Sequence, residues 1–120
     1  MYAERKSTQS RKVKESEVQK QILDYLALKR VFHYRNNSGA FVDSQKHFYR
    51  FGAKGSPDII CIIKGRYVGL EVKTPKGKLS DDQIAFHRNL MAADGIVFTV
   101  RSLDEAIEAV EDTMKRLPSP

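Results

Sequence analysis

An aspartate, a glutamate and a lysine stand where a short β-hairpin would bring them together. Asp58 ends the string Gly55-Ser56-Pro57-Asp58, and Glu71-Val72-Lys73 begins thirteen residues after it. Two carboxylates and an ammonium on one patch suit a hard divalent cation. Such a cation takes one or two protein carboxylates and keeps waters and phosphate oxygens around it. It acidifies a bound water and stabilises charge on phosphoryl oxygens. The carbonyl of Val72 could add a neutral ligand, and Lys73 could orient the water or offset charge in the transition state. Glu-x-Lys alone is more often a solvated strand face, and Pro-Asp alone a turn. The combination carries the weight.

The elements between these residues decide whether they meet. Ile59-Ile60-Cys61-Ile62-Ile63 is β-rich and short, Lys64-Gly65 signals a turn, and Tyr67 to Lys73 runs back. With Lys64 and Gly65 as the loop, Ile63 pairs with Arg66 and Asp58 faces Glu71. Cross-strand partners have Cβ atoms roughly 4.5–5.5 Å apart. Alternation then places Lys73 on the face of Glu71. Like charges facing each other weaken a sheet unless a cation joins them, whereas a slip of one residue would dissolve the patch.

These residues carry a family resemblance. Pro57-Asp58 with Glu71-Val72-Lys73 resembles the signature of the PD-(D/E)xK nucleases. With a helical Glu17 before them and Gln83 on a following helix, the pattern is similar to the VRR-NUC branch, from about Glu17 to Val110. The resemblance implies a Mg2+- or Mn2+-dependent endonuclease with Asp58 and Glu71 as metal ligands and Lys73 as the catalytic lysine. It further implies that Glu17 assists the metal through water and that Gln83 holds the active-site end of the sheet. For a stand-alone member it implies a homodimer acting on branched DNA such as four-way junctions. Flaps, nicks, duplex ends and a non-catalytic DNA-binding module are the competing readings.

The 120 residues suffice for one domain and one core. No apolar run approaches the ~18 residues of a membrane span. The first residues lack a signal-like apolar region, and the one cysteine, Cys61, excludes an intrachain disulfide, so an intracellular protein is expected. Net charge is +6, unevenly spread: residues 1–14 hold five Lys/Arg and residues 29–54 hold six, each with one acid, whereas residues 104–112 hold five acids and no Lys/Arg. That asymmetry suits a DNA-facing side and a solvent-facing back. Arg35, Lys46, Arg50, Lys54, Lys76 and Lys78 are the candidate phosphate contacts.

Along the chain, residues 1–14 read as a mobile basic arm and 15–117 as the folded domain. Ser16-Glu17-Val18-Gln19 reads as a capping box opening a helix to about Lys29. The dipole alone would favour Glu17 there. Val31 to Arg35 reads as a strand and Asn36 to Gly39 as a turn. The stretch to Gly55 interleaves aromatics with Lys46, His47, Arg50 and Lys54, as an excursion or hairpin that either packs at a sheet edge or touches DNA. His33 and His47 lack partners at ligand spacing, so zinc is not expected. Ser80-Asp81-Asp82-Gln83 opens a second helix in which Gln83 either caps or points to the cleft, and Gly95 ends it. A strand, Ile96 to Val100, and a helix from Leu103 follow. The expected fold is α/β, a restriction-endonuclease-like core with a mixed central sheet flanked by helices. If the basic arm touches phosphates, deleting residues 1–14 reduces the slope of log affinity for DNA against log salt. Fluorescence anisotropy at several salt concentrations measures it, and an unchanged slope assigns the arm no contact.

Overall fold

The structure, a computed structural model, describes residues 14–36 and 38–119. Residues 1–13 of the expected basic arm, and Asn37 of the expected turn, lie outside the described residues. The elements are α1 (Glu15–Leu28), β1 (Phe32–Arg35), β2 (Gly39–Val42), β3 (Phe48–Phe51), β4 (Ile59–Ile63), β5 (Arg66–Val72), α2 (Asp81–Ala92), β6 (Ile96–Val100) and α3 (Leu103–Arg116). Four strands form a sheet in the order β1-β4-β5-β6. The first two contacts are antiparallel and β5 pairs with β6 in parallel. The sheet is mixed, as expected.

Alternation divides the sheet into two faces with different tasks. Ile59, Cys61 and Ile63 of β4, Val68, Leu70 and Val72 of β5 and Val100 of β6 are buried in one cluster. Against them pack Val18, Ile22 and Leu26 from α1, and Ala106, Ala109 and Val110 from α3. The other face carries Ile60, Gly69 and Glu71, and α2 lies over part of it, as its hydrogen bonds to Glu71 show. Cys61 is fully buried, and burial pushes its thiol up to about 12, so it behaves as a small apolar side chain.

Two helix ends differ from the sequence expectation. The N-cap of α1 is Lys14, not Ser16, and the Lys14 N–H donates to Glu17 Oε1 at 3.2 Å. Glu17 sits at the third helical position, where a carboxylate reaches back to the cap amide, so Ser16 falls inside the first turn. At the end of α2 the left-handed residue is Asp94 (φ 66°), and Gly95 follows it. Gly95 N–H donates to the Leu90 carbonyl at 2.9 Å and Asp94 N–H to that of Met91 at 3.0 Å, a Schellman closure. Gly95 is needed for space instead: a Cβ there would lie 2.2 Å from Leu90 Cδ1.

The ambiguous stretch before Gly55 is a hairpin that does not join the main sheet. β2 and β3 pair with each other, Phe41 opposite Tyr49, as a separate two-stranded sheet. In the main sheet, Gly69 marks the tightest approach. A Cβ on it would stand 2.6 Å from Pro57 Cγ, so Pro57 rests directly on the β5 backbone. Gly69→Ala should therefore lift the Pro57 loop and cost about 1–3 kcal/mol. Urea denaturation measures the loss, and a wild-type midpoint would refute the contact.

Candidate active site

The hairpin register is the one on which the site depends. Ile63 pairs with Arg66 and Ile59 with Leu70, which brings Asp58, just before β4, to the level of Glu71. Asp58 Oδ2 accepts the Val72 N–H at 2.7 Å, so the carboxylate is fastened to the neighbouring strand. A residue in an antiparallel pair directs its N–H and C=O to the same edge. The Val72 carbonyl therefore lies on the Asp58 side.

Every residue of Gly55-Ser56-Pro57-Asp58 contributes to that placement. Gly55 has φ 82°, and a Cβ on it would meet the Asp82 carbonyl oxygen at 2.3 Å, so the loop backbone presses on the start of α2. Ser56 Oγ donates to the Ala53 carbonyl at 2.6 Å and accepts from Asn36 Nδ2 at 2.7 Å. Asn36 Nδ2 also donates to the Pro57 carbonyl at 2.8 Å, and the Asn36 N–H donates to that of Asp58 at 2.8 Å. Asn36, read from sequence only as a turn residue, is the clamp on the aspartate loop.

Glu71 is 1% exposed, an unusual position for a carboxylate. Gln83 Nε2 donates to its Oε2 at 3.2 Å, and His87 Nε2 lies 3.2 Å from its Oε1. Gln83 performs both tasks that its sequence position suggests, because its Oε1 also accepts the Ser80 N–H at 2.9 Å. Sequence reasoning missed His87. Its only signal was a place one turn after Gln83 on the same face. Burial and then the Lys73 charge hold His87 below its ordinary value, which disfavours a charged imidazolium beside Glu71.

Burial first, then the hydrogen bond and charge of Asp58, push the Glu71 carboxyl far above the usual carboxylate range, and Lys73 opposes them. The charge of Glu15 adds to the upward push. Glu15, not considered from sequence, is half-buried one turn before Val18, whereas Glu17 holds the cap of that helix.

Among the described residues, no group of three or more His, Cys, Asp or Glu is arranged to hold a metal ion. The donor set on offer is smaller and harder: two carboxylates and the Val72 carbonyl. That set fits a cation such as Mg2+, which fills its remaining positions with water and phosphate oxygens. Glu71 has room for it, since a carboxylate offers about four acceptor sites and two are engaged here.

The candidate phosphate contacts separate into groups. Arg50 and Lys54 line a cleft of about 250 Å3 together with Asp58, Ser80 and Gln83. Lys54 pairs there with Asp82 at 3.1 Å. Lys76 and Lys78 are exposed on the loop after Lys73. Arg101 braces that loop, donating to the carbonyls of Thr74 at 2.6 Å and Gly77 at 2.7 Å. Lys46 is at the hairpin tip with φ 67°. Arg35 pairs with Ile59 and so sits on the face of α1, away from Glu71.

The VRR-NUC domain model matches residues 2–104. The chain belongs to the VRR-NUC family. It is thus a nuclease of the PD-(D/E)xK type, with a restriction-endonuclease-like α/β core, and DNA is the substrate that a nuclease domain implies. PD-(D/E)xK nucleases generally use divalent metals. No curated protein matches the sequence. No helix among the described residues of this VRR-NUC chain is long and apolar enough to cross a membrane.

The crowding of Glu71 has a thermodynamic consequence. A carboxyl whose folded pKa lies above its unfolded value favours the fold while protonated, and that stability is lost as pH rises through the folded value. Metal-free protein in EDTA should thus weaken as pH rises from the ordinary carboxylate range into the alkaline range, and Glu71→Gln should flatten that decline. Thermal melts from pH 5 to 9 with EDTA check it. Parallel declines in wild type and variant would refute the crowding.

Proposed function

We propose that the chain is a Mg2+-dependent endodeoxyribonuclease, with Mn2+ able to replace Mg2+, that selects branched DNA, four-way junctions foremost, and acts as a homodimer. The observation that carries the chemistry is the fastening of Asp58 to Val72 beside the buried Glu71. Asp58, Glu71 and the Val72 carbonyl would hold the cation. When bound, it supplies an acidified water and charge stabilisation for the phosphoryl oxygens.

The chain's own residues do the rest. Gln83 and His87 fix both oxygens of Glu71, which keeps the carboxylate from turning away. Lys73 is half-buried, and its charge acts on both Glu71 and His87. In this reading it orients the attacking water and offsets negative charge as the water oxygen bonds to phosphorus. The attacking water gives up a proton to solvent, the bond from phosphorus to the leaving oxygen breaks, and that oxygen takes up a proton from solvent. Arg50, Lys54, Lys76 and Lys78 draw backbone phosphates toward the cleft. Glu17 and Glu15 are both candidates for the supporting acid of α1. Glu17 is the acid that the family pattern points to, and the charge of Glu15 also acts on Glu71.

Homodimerism follows from counting sites. Resolving a four-way junction takes two incisions, one domain has one patch, and a two-fold pair of chains matches the junction's approximate symmetry. The apolar surface available includes Phe32, Tyr34 and Ile62 on the half of the sheet away from β6, and Ile84 and Met91 on α2, all exposed. Light scattering at micromolar concentration, with and without junction, tests the pairing.

Labelled four-way junction, flap and linear duplex, each with Mg2+ or EDTA, test the activity. Wild-type protein should cut the junction preferentially and only with the metal. Asp58→Ala and Glu71→Ala should abolish cleavage, and Lys73→Ala should impair it while largely preserving binding. Glu15→Gln and Glu17→Gln, compared side by side, identify the supporting acid: its loss should lower turnover by more than any fall in melting temperature explains. Near-wild-type turnover in the Asp58 or Glu71 variant would overturn the metal-site assignment.

A further inference from the structure

We propose that the β2–β3 hairpin is a stacking platform for unpaired bases, set at the mouth of the cleft so that branched or single-stranded segments of DNA are gripped beside Asp58. The proposal rests on the nuclease reading for the choice of DNA as ligand, and deepens it by naming the feature of DNA that is recognised.

The hairpin presents rings to solvent with nothing of the main sheet behind them. β2 and β3 pair only with each other. Phe41, Tyr49 and Phe51 are 54%, 45% and 46% exposed. The register places all three on one face: Phe41 is opposite Tyr49, and Phe51 is opposite Gly39. The rings of Phe41 and Tyr49 stack at 5.0 Å with planes 21° apart, and Phe51 adjoins Phe41 at 6.4 Å. Gly39 supplies the floor, since a Cβ there would lie 3.2 Å from the Phe51 ring. A two-stranded ribbon is marginal alone in water, and contiguous exposed apolar surface marks an interaction site.

The hairpin is also continuous with the active-site cleft. Gly39 and Arg50 line it together with Asp58 and Gln83. On the opposite face of the ribbon, Arg50 stands 5.4 Å over the Phe48 ring, which braces its guanidinium. A strand stacked on Phe41 and Tyr49 would leave the aromatic face at Gly39, where the ribbon meets the cleft, and its backbone would there come within reach of Arg50 and the carboxylates.

Charge decides between DNA and a second copy of the chain. Residues 39–54 carry Lys46, Arg50 and Lys54 against one acid, Asp43. Asp43 is engaged within the tip, accepting from the Gln45 and His47 N–H groups at 2.9 and 2.8 Å. An isologous contact through this face would set the same cations against themselves, whereas a nucleic acid brings phosphates to them. Bases inside a duplex hide their faces in the stack. Unpaired bases and those at a branch point present theirs, and aromatic side chains with a basic groove are the common means of holding them.

The chain has no tryptophan, so Tyr49→Trp installs a single reporter on the platform. In EDTA, where no cleavage chemistry intervenes, an oligothymidine strand or a duplex with a single-stranded arm should quench its fluorescence, and a blunt duplex should not. Phe41→Leu and Tyr49→Leu keep apolar bulk but lose the π face. Each should weaken single-strand binding about tenfold, with blunt-duplex affinity and melting temperature near wild type. Absent quenching, or equal losses for single strand and blunt duplex, would overturn the platform. So would a dimer mass that falls to a monomer in Phe41→Leu while single-strand affinity holds, because the face would then belong to a second copy. Inertness toward every substrate with Mg2+ would instead refute the nuclease reading, and the EDTA measurements would still judge the platform.

Discussion

The structure turns on one costly placement: a carboxylate, Glu71, at 1% exposure beside a second carboxylate, Asp58. Removing an ionised carboxylate from water is unfavourable unless hydrogen bonds and opposite charge replace the solvent. Most of what surrounds the sheet's second face answers that demand. Gln83 and His87 supply two hydrogen bonds, and Lys73 supplies a charge from two residues along the same strand segment. Two carboxylates at this distance leave that balance incomplete, and a cation between them would close it, as the proposed function requires. A structural role could be met by a neutral amide of the same shape.

The same demand ties separate segments into one unit. A single side chain, Gln83, joins the cap of α2 to Glu71 through the two ends of its amide. The Gly55 backbone presses on Asp82, Pro57 rests on Gly69, and Asn36 holds Ser56, Pro57 and Asp58 from the end of β1. Displacing any one of these moves a carboxylate. By contrast, β2 and β3 hang from this unit by short connections and share no sheet with it. The support of the carboxylates is thus separate from the ribbon that borders their cleft.

The hairpin that makes the site was legible because its signals agree. A β-rich run, Lys64-Gly65 and a second run leave one register, and Ile63 pairs with Arg66 as that register requires. Gln83 was legible as two alternatives, and the amide satisfies both. His87 was not legible, because a histidine one turn along an amphipathic helix looks the same whether it faces water or a carboxylate. Asn36 and Arg101 escaped for a related reason: each acts on main-chain carbonyls of a distant loop, and carbonyls leave no trace in side-chain pattern. Residues 40–55 resisted assignment because neither face of β2–β3 is buried, so no alternation of apolar and polar residues records it. At α1, Ser16 offered a better cap by residue type than Lys14. The cap is nonetheless Lys14, since Glu17 can serve its amide from inside the helix.

Charge completes the division of labour between the two faces. The acids of α3 belong to the helix that packs Ala106, Ala109 and Val110 against the core, on the face opposite Glu71. Glu105, Glu108 and Asp112 border a groove there, and Glu111 is occupied by Lys29 at 2.8 Å and the Tyr25 hydroxyl at 3.0 Å. Arg50 and Lys54 stand at the cleft that holds Asp58, with Lys76 and Lys78 on the loop that follows Lys73. A polyanion approaching this chain meets repulsion at α3 and attraction at the cleft, so the field orients it before any contact forms. Asp82, which Lys54 neutralises, and the paired carboxylates are local exceptions on the attractive side. Burial and the Lys73 charge shield Glu71, and a cation held as proposed would shield the pair, so that phosphates can come close.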